Sequence, residues 1–204
     1  MPRFEVITDE QELLLFQEET YQRLDVRLPL DYLRRGEVTA LITRHPVTRI
    51  YGGYAVITEG PFRALEQVPK EVLRQHRYLR ARQSRCFEIN ALWLDHKRLP
   101  RFTRVNLWRH LFVSLLRTAM RGKYYFVYSF DTSKDKLRDI YAGMHPTRIF
   151  QGEVKALEGM ARPTQETVEM CSFRNATLAV LANPDFFWAR MKRKKPTPLA
   201  SQHH

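Results

Sequence analysis

The sequence predicts a mixed α/β domain. Its central sheet is mostly antiparallel, contains one parallel strand pair and carries helices on both faces. Three observations predict it. Residues 38–45 and 49–58 are two β-rich runs around Pro46, the pattern of an antiparallel hairpin. Residues 86–130 read as strand, long helix, strand, and such a unit joins parallel neighbours by a right-handed crossover. The full order is strand, helix, strand–strand, helix, strand, helix, strand, helix, strand, strand, which places helices against both sides of one sheet.

Residues 3–8, R-F-E-V-I-T, alternate as a short strand. Thr8 is expected to cap a helix running to about Leu24, whose first turn carries Asp9, Glu10 and Glu12 at the positive end of the helix dipole. Residues 25–36 read as irregular. After the hairpin, Pro61 and Pro69 bracket an expected loop, and residues 70–83 read as a basic helix. Thr103 is expected to cap a helix to Arg121. There Leu107, Leu111 and Leu115 recur every four residues, and Phe112, Leu116 and Ala119 widen the apolar stripe. Gly122 stands where a helix C-terminus needs a left-handed residue. Y-Y-F-V-Y-S-F at 124–130 is the next strand, followed by a helix over 134–143. Strands are expected at 147–154 and 167–173, and a last helix from Pro184 into M-K-R-K-K. One domain is expected over 1–190, with a basic, disordered tail over 191–204.

The chain has 204 residues and a net charge of +12. At 44% hydrophobic and 12% aromatic it can bury a core, which excludes global disorder. Its charge favours acidic partners: nucleic acid, anionic membrane, a phosphorylated cofactor or an acidic carrier protein. Cys86 and Cys171 lie in expected strands without metal-ligand spacing, so neither a zinc site nor a disulfide framework is indicated. M-P-R-F-E-V-I-T-D-E-Q holds no apolar signal segment, and no run approaches the about 18 apolar residues of a membrane span, so a cytoplasmic location is expected. G-x-S-x-G, Walker and HExxH motifs are absent, which leaves hydrolase, NTPase and zinc-protease readings without support. The basic segment 70–85 and the R-M-K-R-K-K tail suit a nucleic-acid or anionic-membrane binding protein. Against nucleic acid, the aromatics are not interleaved with basic residues as stacking platforms.

The unit C-F-E-I-N-A-L-W-L-D, a basic loop, the helix to Gly122 and Y-Y-F-V-Y-S-F resembles the donor-binding core of the GNAT N-acyltransferases, and the likeness spans about residues 3–175. The resemblance implies that the two parallel strands splay apart and that an acyl thioester lies between them. Its pantetheine arm would run along the backbone of Leu92, Trp93 and Leu94, and its phosphates would lie at the start of the following helix. The family's glycine-rich turn there is missing: residues 101–108 read R-F-T-R-V-N-L-W. Arg98, Arg101, Arg104 and Asn106 are expected to take the phosphate through side chains instead. Acyl-homoserine-lactone synthases and long-chain N-acyl amino acid synthases depart from the pattern in a similar way. The resemblance therefore implies a medium or long acyl group from an acyl-carrier protein or acyl-CoA as co-substrate, with no permanently bound cofactor. An ordinary acetyl-CoA-dependent transferase is the nearer alternative.

Acyl transfer requires deprotonation of the amine, stabilisation of the oxyanion and help for the departing thiolate. Period-two alternation places Glu88 and Asn90 on one strand face and Phe87, Ile89, Ala91 and Trp93 on the other. Glu88 is the candidate base and Asn90 the residue that orients the amine or a water. The structural alternative is a Glu88 salt bridge to a neighbour such as Arg49. The resemblance makes Tyr141 the acid at the thioester sulfur. His145, Ser129 and Asp131 are candidates for the acceptor side, with Asp131 suited to a cationic amine, and Gly52–Gly53 predicts a bulge or a close backbone approach. With neither an activated Ser nor an activated Cys evident, direct attack by an amine-bearing small molecule, amino acid or peptide is expected.

Overall fold

The computed structural model describes residues 2–95, 99–100, 102–132, 135–160 and 163–185. Strands β1 (Arg3–Ile7), β2 (Gly36–Thr43), β3 (Arg49–Ile57), β4 (Cys86–Leu94), β5 (Tyr125–Asp131), β6 (Thr147–Val154) and β7 (Thr164–Ser172) form one sheet. Their order is β1–β2–β3–β4–β5–β7–β6. Neighbours pair antiparallel except β4 and β5, which run parallel. The mixed, mostly antiparallel sheet is therefore as expected.

Helices cover both faces. On one lie α1 (Glu10–Leu24), α2 (Leu30–Leu33), α3 (Arg63–Glu66), α4 (Lys70–Gln75) and α5 (Arg77–Arg80), around a core of Phe16, Leu33, Ala55, Ile57 and Val127. On the other lie α6 (Thr103–Met120), α7 (Asp135–Ala142) and α8 (Phe173–Ala182), packed on Tyr54, Phe87, Phe126 and Tyr128. Gly122, φ +88, closes α6. Its amide and that of Lys123 donate to the Ala119 and Thr118 carbonyls, the paired bonds that cap a helix through a left-handed residue.

Several elements differ from expectation for local reasons. Asp9, not Thr8, caps α1, because its carboxylate reaches the amides of Gln11 and Glu12. Thr103 lies inside α6, and Phe102 caps it with no side-chain bond. The 70–83 helix is broken at His76, whose ring accepts from the Leu79 amide and starts α5. One helical turn stands in each expected irregular stretch, α2 and α3. Helix α8 follows β7 directly, with Ser172 accepting from the Asn175 amide. The expected helix into M-K-R-K-K lies mostly outside the described residues. On α6, Ser114 and Thr118 take buried positions while Phe112 and Leu116 face outward. Ser114 can be buried because its hydroxyl bonds Tyr54 at 3.0 Å and Glu37 at 2.8 Å.

The alternation along β4 also breaks. Against β3, Ala55 stands opposite Asn90 and Gly53 opposite Trp93, so β4 carries an extra residue. Ala91 adopts φ +53, and its amide donates to Asn90 Oδ1 at 2.7 Å. After this bulge the faces exchange. Ala91 and Trp93 join the core beneath α1, on the side of Glu88, while Leu92 and Leu94 face α6 with Phe87 and Ile89.

Candidate active site

β4 and β5 pair only over Cys86–Glu88 and Tyr125–Val127. From Ile89 onward β4 has no register partner on β5, and the two strands diverge. Two cavities border the opening and share Ile89, Leu92, Tyr128 and Tyr141. The first, about 430 Å³, lies on the α1–α3 side and is lined by Asp25, Arg63, Asn90, Ser129, Asp131 and Glu166 among others. The second, about 390 Å³, lies beneath α6, α7 and α8 and is almost wholly apolar, with Leu111, Phe112, Met144, Phe173, Ala176 and Val180 in its wall.

Glu88 lies behind the first cavity, 1% exposed. One carboxylate oxygen accepts the Arg63 amide at 2.8 Å, and the other accepts the Ala64 amide at 2.9 Å and Asn90 Nδ2 at 3.1 Å. Glu88 thus caps α3 from another strand, and backbone amides hold it where a salt bridge to Arg49 was the structural alternative. Asn90 bridges outward, since Nδ2 also donates to the Tyr32 hydroxyl at 3.1 Å. Burial raises the Glu88 carboxyl to about 7 even though Ala64, Tyr32, Arg63 and Asn90 all favour its charged form.

Tyr141 stands at the end of α7, its ring 4.3 Å from Tyr128 and 5.1 Å from Phe130. Burial, with the nearby Glu169, pushes its hydroxyl up to about 12, so it keeps its proton at neutral pH. Tyr128 donates to Glu169 at 2.9 Å. That pair was not picked out in the sequence, where Y-Y-F-V-Y read as core.

Asn90, Leu92, Ser129, Asp131 and Tyr141 therefore converge on one opening. Other expected residues do not border it. The Trp93 ring is buried beneath α1 and donates to Thr20 Oγ1 at 2.9 Å, and Leu94 packs against Gly52. Gly52 and Gly53 do mark a close backbone approach, but to the sheet itself. A Cβ at Gly52 would stand 2.7 Å from the Trp93 carbonyl oxygen, and one at Gly53 2.3 Å from that of Thr39. His145 is exposed in the turn after α7, with φ +52. Arg104 and Asn106 occupy the first turn of α6, which has neither a side-chain cap nor an acidic residue. Arg98 and Arg101 lie outside the described residues. Arg63, Tyr32 and Glu166 were missed. The signal for Arg63 was a turn of helix between two prolines, which reads as a loop.

Neither cysteine is an activated nucleophile. Cys86 is buried, its thiol donates to the Arg82 carbonyl, and burial raises it to about 11; Cys171 is likewise raised to about 12.

This arrangement defines the GNAT acyltransferase fold, and comparison with solved structures agrees. The chain is similar to FeeM, an N-acyl amino acid synthase from uncultured soil microbes, at 13% identity and a TM-score of 0.54, covering 85% of this chain and 93% of that one. It is also similar to a probable acetyltransferase from Staphylococcus epidermidis, at 5% identity and a TM-score of 0.51, covering 84% of this chain and 99% of that one. At such identities the likeness establishes the fold. No protein-family model and no curated protein matches the sequence.

Proposed function

We propose that this protein is a GNAT-type N-acyltransferase that moves a medium- or long-chain acyl group from a carrier-protein or CoA thioester to an amine. The observation that carries this reading is the apolar chamber of about 390 Å³ opening on the strand gap. Its size is that of a ligand site, whereas an acetyl group would leave most of it empty. FeeM, which shares the fold, is by name a synthase of N-acyl amino acids.

In this reading the pantetheine arm pairs with the unpartnered β4 backbone beyond Ile89, and the acyl chain lies under α6 and α8. The phosphate meets the α6 N-terminus, the positive end of the helix, where Arg104 and Asn106 add side-chain contacts. The amine enters the opposite, polar chamber. Asp25, Asp131 and Glu166 border that chamber against Arg23 and Arg63, an acidic excess in a chain of net charge +12, which suits a cationic acceptor. The neutral amine nitrogen attacks the thioester carbonyl carbon and forms the C–N bond. The C–S bond then breaks, and the departing thiolate meets the Tyr141 hydroxyl. Asn90 orients the amine, or a water that passes its proton toward Glu88.

Incubating the protein with acyl-CoA and acyl-carrier-protein thioesters from two to sixteen carbons (roughly the range that distinguishes the readings), and following products by mass spectrometry, tests the assignment. Long-chain products support it, and turnover of acetyl-CoA alone overturns the chain-length reading. Val180→Trp, which fills the chamber from α8, is expected to lower kcat/KM for long chains by about tenfold or more and leave short chains unchanged. Equal losses at every chain length would place the acyl group elsewhere.

A further inference from the structure

The outer face of α6 and α8 is apolar where a helix facing water is expected to be polar. Phe112, Val113, Leu116 and Met120 follow one stripe of α6 and are 41%, 38%, 41% and 80% exposed. Leu178 and Leu181, one turn apart on α8, are 52% and 71% exposed. The two sets form one surface: Phe112 packs on Phe173 at 5.5 Å, and Met120, Tyr124 and Leu178 border a common groove. The charge that the two helices carry has a single sign. Neither helix contains an Asp or a Glu, while Arg109, Arg117, Arg121 and Arg174 are exposed within the patch or at its edge.

Aliphatic side chains flanked by guanidinium groups, on two helices that hold no acid, match a surface that is both apolar and anionic; the acids near it, Asp185 just beyond α8 and Glu37 bonded to Ser114, are outnumbered by the arginines. We propose that the α6/α8 face docks the protein on an anionic lipid bilayer, with Leu116, Met120, Leu178 and Leu181 entering the boundary between headgroups and acyl chains and the arginines meeting the headgroups. A second copy of the chain fits this face poorly, since it would bring like charges together. A carrier protein presenting a thioester would sit at the α6 N-terminus, and Met120 is about 25 Å of helix away from it. Beyond α8 the sequence continues Phe186, Phe187, Trp188 and then Arg190, Lys192, Arg193, Lys194 and Lys195, the composition of a membrane-interface segment. Phe112 and Phe173 also wall the apolar chamber. If the acyl-transfer reading holds, the bilayer lies beside the site that holds the acyl chain.

Co-sedimentation of the full chain with vesicles tests the proposal without any turnover. One set is phosphatidylcholine and the other an equimolar mixture of phosphatidylcholine and phosphatidylglycerol. The expected result is binding to the anionic vesicles that weakens with salt. In the variant carrying Met120→Glu, Leu178→Glu and Leu181→Glu it drops about tenfold or more. These positions are exposed, so the variant should keep its circular dichroism, and Arg117→Glu with Arg121→Glu checks the charge contribution separately. Absence of vesicle binding by wild type overturns the proposal, as does undiminished binding by the triple variant. A wild-type dimer that the triple variant converts to monomers, without vesicle binding, would assign the face to a second copy.

Discussion

Tyr141→Phe is expected to lower kcat for acyl transfer about 10- to 150-fold while the protein keeps its fold. The size follows from what the hydroxyl can do. A phenol near 12 that gave its proton outright to a thiolate of ordinary pKa, about 8.5, would run uphill by about 5 kcal/mol. Hydrogen bonding to the departing anion is therefore the stronger contribution, and a hydrogen bond to a charged group is worth about 1.5–3 kcal/mol. Packing is what holds the hydroxyl in place: the ring lies against Tyr128 and Phe130, and a phenol is protonated across the neutral range with or without burial. The phenylalanine keeps those ring contacts, so circular dichroism and thermal melting should match wild type while thiol release slows. Wild-type kcat in this variant would remove Tyr141 from the chemistry. A thioester with a more acidic thiol should lose less on substitution, because its anion needs less help.

The parallel pair was legible because its signal is additive over many residues. A strand, an amphipathic helix closed by Gly122 and a second strand admit few arrangements. The divergence of β4 from β5 followed only from the family resemblance, since nothing in C-F-E-I-N-A-L-W-L-D announces the loss of pairing after Glu88. The bulge was hidden for a related reason. Its positive φ falls on Ala91 and not on a glycine, and Asn90 stabilises it locally through its own side chain. Alternation therefore assigned Trp93 to the wrong face, and the residues that separate the two cavities were misplaced with it. Phe112 and Leu116 failed differently: they continue the stripe of Leu107, Leu111 and Leu115 so smoothly that burial looked certain. Only tertiary structure shows Ser114 and Thr118 in those places, each with its hydroxyl satisfied.

Both cavities depend on that bulge. With unbroken alternation Leu92 would lie on the Glu88 side, and the strand gap would have like surfaces on its two sides. The extra residue instead sets Leu92 and Leu94 toward α6 and leaves Asn90 and Ala91 toward α3. One strand thus presents an apolar wall to one chamber and an amide to the other. That is the division an enzyme needs if it joins a fatty chain to a charged amine, because neither substrate then has to cross the other's environment.

Glu88→Gln separates the structural duty of this carboxylate from its chemical one. In the folded protein burial raises the group from 4.5 to about 7, so the native state holds its proton more tightly than the unfolded chain does. Stability from this group is therefore fully present below about 4.5 and is lost as pH rises to about 7, a change of about 3 kcal/mol. That direction is opposite to the usual carboxylate, whose native state favours the ion. Wild type minus Glu88→Gln should thus fall by about 3 kcal/mol across this window in denaturant unfolding, and a difference independent of pH would show that folding leaves the Glu88 carboxyl at its ordinary value. The amide's single oxygen can accept from only one of the Arg63 and Ala64 amides, which in wild type reach different oxygens, and its N–H₂ faces the other, a cost of about 1–3 kcal/mol. Chemistry is read from a different quantity. If Glu88 receives the amine's proton through a water that Asn90 orients, kcat/KM should rise with pH through about 7 in wild type. Glu88→Gln should then lose that limb together with about a hundredfold in rate. A variant that is less stable yet turns over with the wild-type pH profile would confine Glu88 to holding α3 and Asn90 in place, and the base would have to be sought among the carboxylates that line the polar chamber.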